Sequence, residues 1–212
     1  MDCRNNRFCK SLSPELRERL CANCSKRSLK KGQIIYRADI ENRIVLIVNG
    51  VMINEPDMGI DVLEDHDTPV LFISTSGLIW GGDNLFNEAS NERYAWISYI
   101  CLQDTTIAFF NRAFIRNLFE TEPEFARAMY CNIVIAAAEA CEFAAVLRAP
   151  NVEQGVAYLL DYAVRKGFKL TQQQMADITG HNRVSVSRAI TSIKAKKPEL
   201  WDRYRSAHLQ YS

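Results

Sequence analysis

The feature that most constrains the fold is a change in hydrophobic period near residue 122. From Lys31 to about Phe110, short β-rich runs follow one another with turn residues between them. The runs read QIIY, RIVLIV, VMIN, IDVL, PVLFIS, LIW, YAWISYI and TIAFF. Many short strands at close spacing indicate a β-sandwich or a β-barrel. Asn49-Gly50 lies between two of the runs and predicts a tight hairpin, because both residue types tolerate a positive φ.

Beyond Glu122 the apolar residues recur at steps of four or three, which is the spacing of one face of a helix. The stripe comprises Phe125, Met129, Ile133, Ala136, Ala140, Phe143 and Leu147. A helix of roughly seven turns is longer than a small barrel can cover. The pattern therefore favours pairing of this stripe with the same helix of a second copy. Packing along the chain's own barrel is the alternative.

Local signals predict shorter helices on both sides of this region. Residues 13–20 (SPELRERL) place Ser13 at an N-cap and a proline at the first helical position. Pro150 ends the long helix. Residues 152–165 then form a second amphipathic helix, which Gly167 closes.

Residues 171–193 have the pattern of a helix-turn-helix. Thr171 and Gln174 form a capping box, Gly180 permits a tight turn, and Asn182 can cap the helix that follows. One face of that helix, opposite its apolar residues, carries Arg183, Val184, Ser187 and Arg188. In a DNA major groove arginine donates two hydrogen bonds to guanine, valine touches a thymine methyl, and serine accepts or donates. A surface helix pair in an ordinary helical domain is the alternative.

Charge is unevenly distributed, although the formal net charge is only +1. Residues 169–212 contain eight Lys/Arg and three acidic residues, and the rest of the chain contains 18 Lys/Arg and 22 acidic residues. A basic end on an acidic body is expected where one end meets a polyanion. A solvated lysine-rich tail would give the same balance.

The segment LTQQQMADITGHNRVSVSRAI resembles the helix-turn-helix of the CRP/FNR family of bacterial transcription regulators, in both its glycine turn and its V-S-R ending. The order of parts is also similar to that family over about residues 8–193. The resemblance implies an α+β fold with an N-terminal β-roll of the cyclic-nucleotide-binding type over residues 1–121. A dimerisation helix over 122–149 and a helix-turn-helix DNA-binding domain over 150–212 would follow. It implies a sequence-specific transcription regulator controlled by a small-molecule or redox signal sensed in the N-terminal domain.

The implied partners are a second copy of the chain, double-stranded DNA with a palindromic operator, RNA polymerase and a small-molecule effector. Matched by position, the implied DNA-binding residues are Thr171, Gln172, Gln173, Asn182, Arg183, Val184, Ser185, Ser187 and Arg188. Free backbone amides at the helix start near Thr171 favour a phosphate. Family members often place an acid where Val184 stands, which implies a different target sequence.

The segment after Ile193 departs from the family, whose members follow this helix with a small β-hairpin wing. Here the sequence KAKKPELWDRYRSAHLQYS has no alternating strand pattern, and Pro198 breaks the helix. A new helical piece containing Trp201 and Tyr204 is expected, so the wing is missing or replaced. The alternative function is therefore a ligand-binding regulatory module of the same fold that has lost specific DNA binding.

Residues 81–97 (GGDNLFNEASNERYAWI) are similar to the phosphate-binding cassette of the cyclic-nucleotide-binding members. The resemblance implies effector contacts at Gly82, Asp83, Arg93 and Tyr94. Arg93 stands where the phosphate-binding arginine would be, and Tyr94 replaces the small hydroxyl residue beside it. Asp83 is one residue out of register. These differences argue against cyclic AMP and favour another small molecule, while an ordinary ion pair of Arg93 is the alternative.

Four of the seven cysteines, Cys3, Cys9, Cys21 and Cys24, lie in the first 24 residues. Four thiolates can bind zinc or an iron–sulfur cluster, and oxygen sensors of the FNR type carry an N-terminal cysteine cluster. The spacing here is looser than in those sensors. Unrelated thiols that pack in the core and oxidation of thiols as a switch are the alternatives.

Other function classes find little support in the sequence. No hydrolytic triad, phosphate-binding loop or zinc-protease motif is present, so we expect no enzyme. The N-terminus lacks the apolar core of a secretory signal, and the apolar stretch Ile133 to Leu147 is short and contains two glutamates. With an odd number of cysteines, these features predict a cytoplasmic protein without a membrane partner.

Overall fold

The described residues of the computed structural model are 6–40, 43–56, 72–81, 85 and 97–207. They form two antiparallel four-stranded sheets. The first sheet has the order β1-β8-β3-β6 and the second the order β2-β7-β4-β5. The strands are β1 (Cys24–Leu29), β2 (Ile34–Tyr36), β3 (Arg43–Asn49), β4 (Val51–Pro56), β5 (Phe72–Thr75), β6 (Ile79–Trp80), β7 (Ile97–Cys101) and β8 (Thr105–Asn111). The predicted α+β class with a β-roll is confirmed.

Helices flank the strands, and beyond residue 111 the described chain consists of helices and the short segments that connect them. They are α1 (Arg7–Lys10), α2 (Pro14–Ala22), α3 (Arg112–Thr121), α4 (Pro123–Leu147), α5 (Val152–Lys166), α6 (Gln172–Thr179), α7 (Arg183–Lys196) and α8 (Pro198–Ser206). The predicted caps are in place: Ser13 accepts from the Leu16 amide, and Gly167 ends α5 with a φ of 72°. The caps predicted from the sequence are therefore present at these two helix ends.

One hydrophobic core of the β-roll lies between the first sheet and the helices that cover it. Ile44, Leu46 and Phe110 of the sheet pack with side chains from α1, α2, α3 and the start of α4. Phe8 of α1 meets Phe125 of α4 edge to face, with 5.9 Å between ring centroids. This core fixes the first turns of α4 against the sheet.

The predicted hairpin at Asn49-Gly50 is wrong. β3 pairs with β8 and β6 in the first sheet, whereas β4 pairs with β7 and β5 in the second. The chain passes between sheets at Gly50, whose φ is 111°. A Cβ there would lie 2.7 Å from the Thr105 Cα, so close backbone approach, and not a two-residue turn, is the reason for glycine.

The edge strand β1 was not predicted, because its sequence CSKRSL shows no apolar alternation. Its four central residues are exposed, and only Leu29 is buried. Among the described strands β1 pairs only with β8, in register from Cys24 opposite Phe110 to Leu29 opposite Thr105. Polar and charged residues are typical of such an edge, because they discourage pairing with another chain.

α4 is continuous from Pro123 to Leu147, but only part of its predicted apolar stripe is exposed to solvent. Phe125, Met129 and Phe143 are buried within their own chain, which corrects the prediction that the whole stripe faces a second copy. Ile133, Ala140 and Leu147 of the stripe are exposed, and a second line of exposed apolar residues lies beside them. It contains Tyr130, Val134, Ala137 and Cys141, at steps of four, three and four, which we call the seam.

The described chain separates into two compact units that divide within α4. One holds both sheets and α4 up to Ala138, and the other holds α4 from Glu139 and the helices that follow. In the second unit Lys166 Nζ lies 2.7 Å from the buried Glu139 carboxylate, and Phe143 packs on Tyr162.

By length and composition alone α4 could cross a membrane, with a mean hydropathy of 1.6 over 18 residues. The apolar segment is thus longer than the sequence analysis allowed.

Candidate nucleic-acid interface

α6 begins at a complete capping box and ends at a left-handed glycine. Thr171 Oγ1 accepts from the Gln174 amide at 3.1 Å, and Gln174 Oε1 accepts from the Thr171 amide at 2.9 Å. Gly180 has a φ of 66°, and the His181 amide returns to the Ala176 carbonyl at 3.0 Å. These bonds satisfy the backbone groups at both helix ends and set the turn into α7.

α7 begins at Asn182, whose Oδ1 accepts from the Ser185 amide at 2.9 Å. Its inner face is fully apolar and consists of Val186, Ala189, Ile190 and Ile193, all buried. Packing of this face against α5 and α6 fixes the rotation of α7 about its own axis. Each residue of the opposite face therefore has a defined direction.

The outer face of α7 carries the predicted base-reading residues. Arg183 and Arg188 are exposed, Val184 is 60% exposed, and Ser187 is half-buried. Among the described residues, neither arginine has an ion pair or a hydrogen bond to a side chain. A guanidinium held at the surface in this way keeps all its donors for a ligand.

The remaining predicted DNA-binding residues lie around this face. Thr171 and Gln173 are exposed at the start of α6, and Gln172 is half-buried there. Thr171 is engaged as a cap, and Gln173 donates to Asp177 Oδ1 at 2.7 Å. Ser185 lies on the flank of α7 and is half-buried. All nine residues thus belong to one helix-turn-helix unit.

The structure adds a groove that the sequence did not predict, between the start of α5 and the flank of α7. It has a volume of about 690 Å³ and is lined by Ser185 and Arg188 among others. Glu153 of α5 accepts from Ser192 Oγ at 2.7 Å and from Lys196 Nζ at 3.0 Å. The hydrogen bond from Ser192, followed by the Lys196 interactions, lowers the pKa of the Glu153 carboxyl. Since 39 residues separate Glu153 from Ser192, no local pattern could have revealed the contact.

A helix stands where the family has its wing. α8 begins at Pro198, contains Trp201 and Tyr204 as the sequence predicted, and buries Leu200 and Tyr204. Lys194 of α7 places its ammonium 4.2 Å from the Trp201 ring centroid. Over residues 198–206 the wing is therefore replaced by a helix packed on α5 and α7.

The predicted effector residues Gly82, Asp83, Arg93 and Tyr94 lie outside the described residues. Next to that segment, Trp80 stacks on Tyr99 with 4.0 Å between ring centroids. Trp80 Nε1 donates to the buried Ser74 Oγ at 3.1 Å, which in turn donates to Asn54 Oδ1 at 3.0 Å. This part of the roll is therefore filled by its own aromatic and polar side chains.

The predicted metal ligands are placed only in part, because Cys3 lies outside the described residues. Cys9 is buried in the core and accepts from Asn6 Nδ2 at 3.3 Å. Cys21 and Cys24 are half-buried at the junction of α2 and β1. The described residues contain no group of three His, Cys, Asp or Glu side chains that could hold a metal ion, so by themselves they do not fit a zinc or cluster site.

Known proteins resemble this chain in their structures. No protein-family model matches the sequence, and no curated protein matches it. Solved structures do match. A cyclic nucleotide-binding domain containing protein from Listeria monocytogenes is 12% identical, with a TM-score of 0.67 over 84% of this chain and 85% of that one.

Two further matches are transcription regulators. The c-di-GMP responsive global regulator CLP from Xanthomonas campestris is 17% identical, with a TM-score of 0.65 over 87% of this chain and 93% of that one. A putative regulator of the crp/fnr family from Eubacterium rectale is 13% identical, with a TM-score of 0.62 over 94% and 98% of the chains. This chain has the CRP/FNR regulator fold. The resemblance stated from the sequence is thereby confirmed for the fold.

Proposed function

We propose that this protein is a homodimeric, sequence-specific DNA-binding transcription regulator of the CRP/FNR type, responding to a small-molecule or redox signal in its N-terminal domain. The observation that carries the proposal is the outer face of α7. It presents Arg183, Val184, Ser187 and Arg188 outward, while the rest of the helix is locked by its buried face. Side chains of these types, held at defined angles on an exposed helix, suit direct readout of base edges in a major groove.

The charge around α7 supports a polyanionic partner. Residues 169–212 carry a net charge of +5 from eight basic and three acidic residues. Lys196 and Arg203 form ion pairs with Glu153 and Asp161, which partly offset two of these charges. Arg183 and Arg188 have no such partner among the described residues. DNA binding should therefore weaken steeply as salt rises, because neutralising phosphates releases counterions.

The seam supports the dimer. Tyr130 is 67% exposed and Val134 is 49% exposed, and Ala137 and Cys141 follow them on the same line. Exposed apolar residues at alternating steps of four and three are typical of a two-helix interface. The small side chains of Ala137 and Cys141 permit close approach of the backbones. A second copy related by a twofold axis would present two α7 helices to half-sites about one DNA turn apart.

Cys141 provides a direct test of this dimer. Helix axes ~10 Å apart with Cα radii of ~2.3 Å leave roughly 5 Å between facing Cα atoms, which suits a disulfide. Mild oxidation with a copper–phenanthroline reagent should give covalent dimers of the wild type and of Cys131→Ser, but not of Cys141→Ser. Cys131 is the matched control, because it is also exposed but lies roughly 80° around the helix from Cys141. A monomer in sedimentation velocity, or recovery of the protein with membranes, would contradict the seam as a dimer interface.

DNA binding is tested by selecting sequences from a random duplex library and titrating the best one by fluorescence anisotropy. Arg188→Ala should cost about 1–3 kcal/mol and relax the preference at one base pair of each half-site. Arg27→Ala, an exposed arginine on β1, is the matched control and should leave binding unchanged. Weak, non-selective binding by the wild type would favour the alternative function, a regulatory module without a DNA target.

The signal is tested separately. Protein purified without oxygen is analysed by absorption spectroscopy and for iron, sulfide and zinc. Stoichiometric metal that is lost on replacing Cys21 or Cys24 would make the protein a metal or redox sensor. A colourless, metal-free protein would support a small molecule that binds near Arg93 and Tyr94.

A further inference from the structure

We propose that α8, which stands in place of the wing, positions the helix-turn-helix, and that Tyr204 is the positioning residue. The inference rests on the proposed DNA-binding function. Its core is one buried contact: the Tyr204 hydroxyl accepts from the Leu170 amide at 2.8 Å and donates to the Leu170 carbonyl at 2.9 Å. A single hydroxyl thus pairs with both backbone groups of one residue, as a neighbouring strand would.

Leu170 lies where the chain enters the helix-turn-helix. It immediately precedes Thr171, which caps α6, and only Gly167 to Leu170 separate α5 from that cap. Leu170 and Tyr204 are both buried, so water does not replace their hydrogen bonds. Tyr204 therefore holds the point from which α6, the turn and α7 extend.

Three exposed contacts hold α8 in register with its neighbours. Lys169 Nζ donates to the Arg205 carbonyl at 3.0 Å, Arg203 pairs with Asp161 of α5 at 3.3 Å, and Lys194 lies over Trp201. Exposed polar contacts of this kind contribute little singly. The hydroxyl of Tyr204 is the buried polar group among them, and its loss would leave two buried backbone groups without that partner.

Loss of the Tyr204 hydroxyl should affect sequence-specific and non-specific DNA binding differently. Tyr204→Phe changes no charge, so attraction to phosphates should persist. Readout of bases depends on the angle at which α7 enters the groove. A small displacement of α7 therefore costs more affinity in base contacts than in attraction to phosphates. The variant should therefore lose discrimination and keep its general affinity for DNA.

The experiment compares full-length wild type, Tyr204→Phe and Tyr158→Phe on the selected duplex and on a scrambled duplex. Tyr158 is the matched control, because its exposed hydroxyl accepts only from Gln154 Nε2 in the described structure, at 3.3 Å. For Tyr204→Phe we expect about a tenfold or greater loss of affinity for the selected duplex, within twofold unchanged affinity for the scrambled one. We also expect faster hydrogen exchange at the Leu170 amide. Circular dichroism establishes that both variants are folded.

The outcomes distinguish this inference from the function on which it rests. Wild type that does not discriminate between the two duplexes overturns the proposed function and this inference with it. Wild type that discriminates, with Tyr204→Phe equal to it, overturns the role of Tyr204 alone. Equal losses of affinity on both duplexes also overturn it, because they indicate a general loss of DNA binding. Unchanged hydrogen exchange at the Leu170 amide overturns it too, because the Tyr204 hydroxyl would then not protect that amide.

Discussion

Asn132 gives the sharpest test of how α4 is attached to the β-roll. It is a buried polar residue of α4, and its Oδ1 accepts from the Ile79 amide at 3.2 Å. Its Nδ2 donates to the Gly77 carbonyl at 2.5 Å. The side chain thus satisfies two backbone groups in the turn between β5 and β6. Asn132→Ala removes both contacts and leaves the helix itself intact.

The size of the effect follows from these two bonds. Leaving a buried donor or acceptor unsatisfied costs about 1–3 kcal/mol, and the better helix propensity of alanine returns about 0.5 kcal/mol. We expect Asn132→Ala to lower the free energy of unfolding by about 2–4 kcal/mol. Asn117→Ala on α3 is the matched control: Asn117 is exposed, so its loss should change stability by less than about 0.5 kcal/mol.

The assay is urea unfolding followed by circular dichroism at one fixed protein concentration, because dimerisation makes stability depend on concentration. An unchanged m-value would show that the native and unfolded states are otherwise comparable. A difference of less than about 1 kcal/mol between Asn132→Ala and Asn117→Ala would refute the reasoning. The bonds of the turn to β3, from the backbone and from Ser76 Oγ, would then be enough to hold it.

Two further predictions concern a glycine and a tyrosine. Gly50→Ala should destabilise the protein by at least about 2 kcal/mol in the same urea assay, because a positive φ and contact with Thr105 both oppose a Cβ. Burial raises the pKa of the Tyr204 phenol above 10.0. Its stabilising contribution is therefore present below pH ~10 and is lost as pH rises through the folded-state pKa. A melting temperature that falls above pH ~10 in wild type, but less in Tyr204→Phe, is the expected result.

Features with a local cause could be predicted from the sequence. The capping box at Thr171, the left-handed Gly180 and the Asn182 cap depend on residues within one turn of each other, and all three stand as predicted. The outward direction of Arg188 follows from the same helix period. The local geometry of α6, the turn and α7 therefore follows from the sequence, and DNA binding by the outer face of α7 stays a prediction.

Features that depend on distant partners could not be predicted. The hairpin prediction at Asn49-Gly50 used only the turn residues, while the partner strands of β3 and β4 decide which sheet each joins. The stripe on α4 had the right period, but burial by the chain's own core selected which of its residues remain exposed. The Tyr204 contact with Leu170 spans 34 residues and has no sequence signature.

α4 combines these findings, because two buried polar residues in its middle make contacts on either side of the point where the two units divide. Asn132 ties one part of it to the β5–β6 turn, and Glu139, two turns further on, forms a buried ion pair with Lys166 of α5. The seam between Tyr130 and Cys141 lies along the same stretch. Removing either partner of a buried polar contact costs more than a surface change. Loss of the Asn132 contacts should therefore destabilise the first unit, and loss of the Glu139–Lys166 pair should destabilise the second.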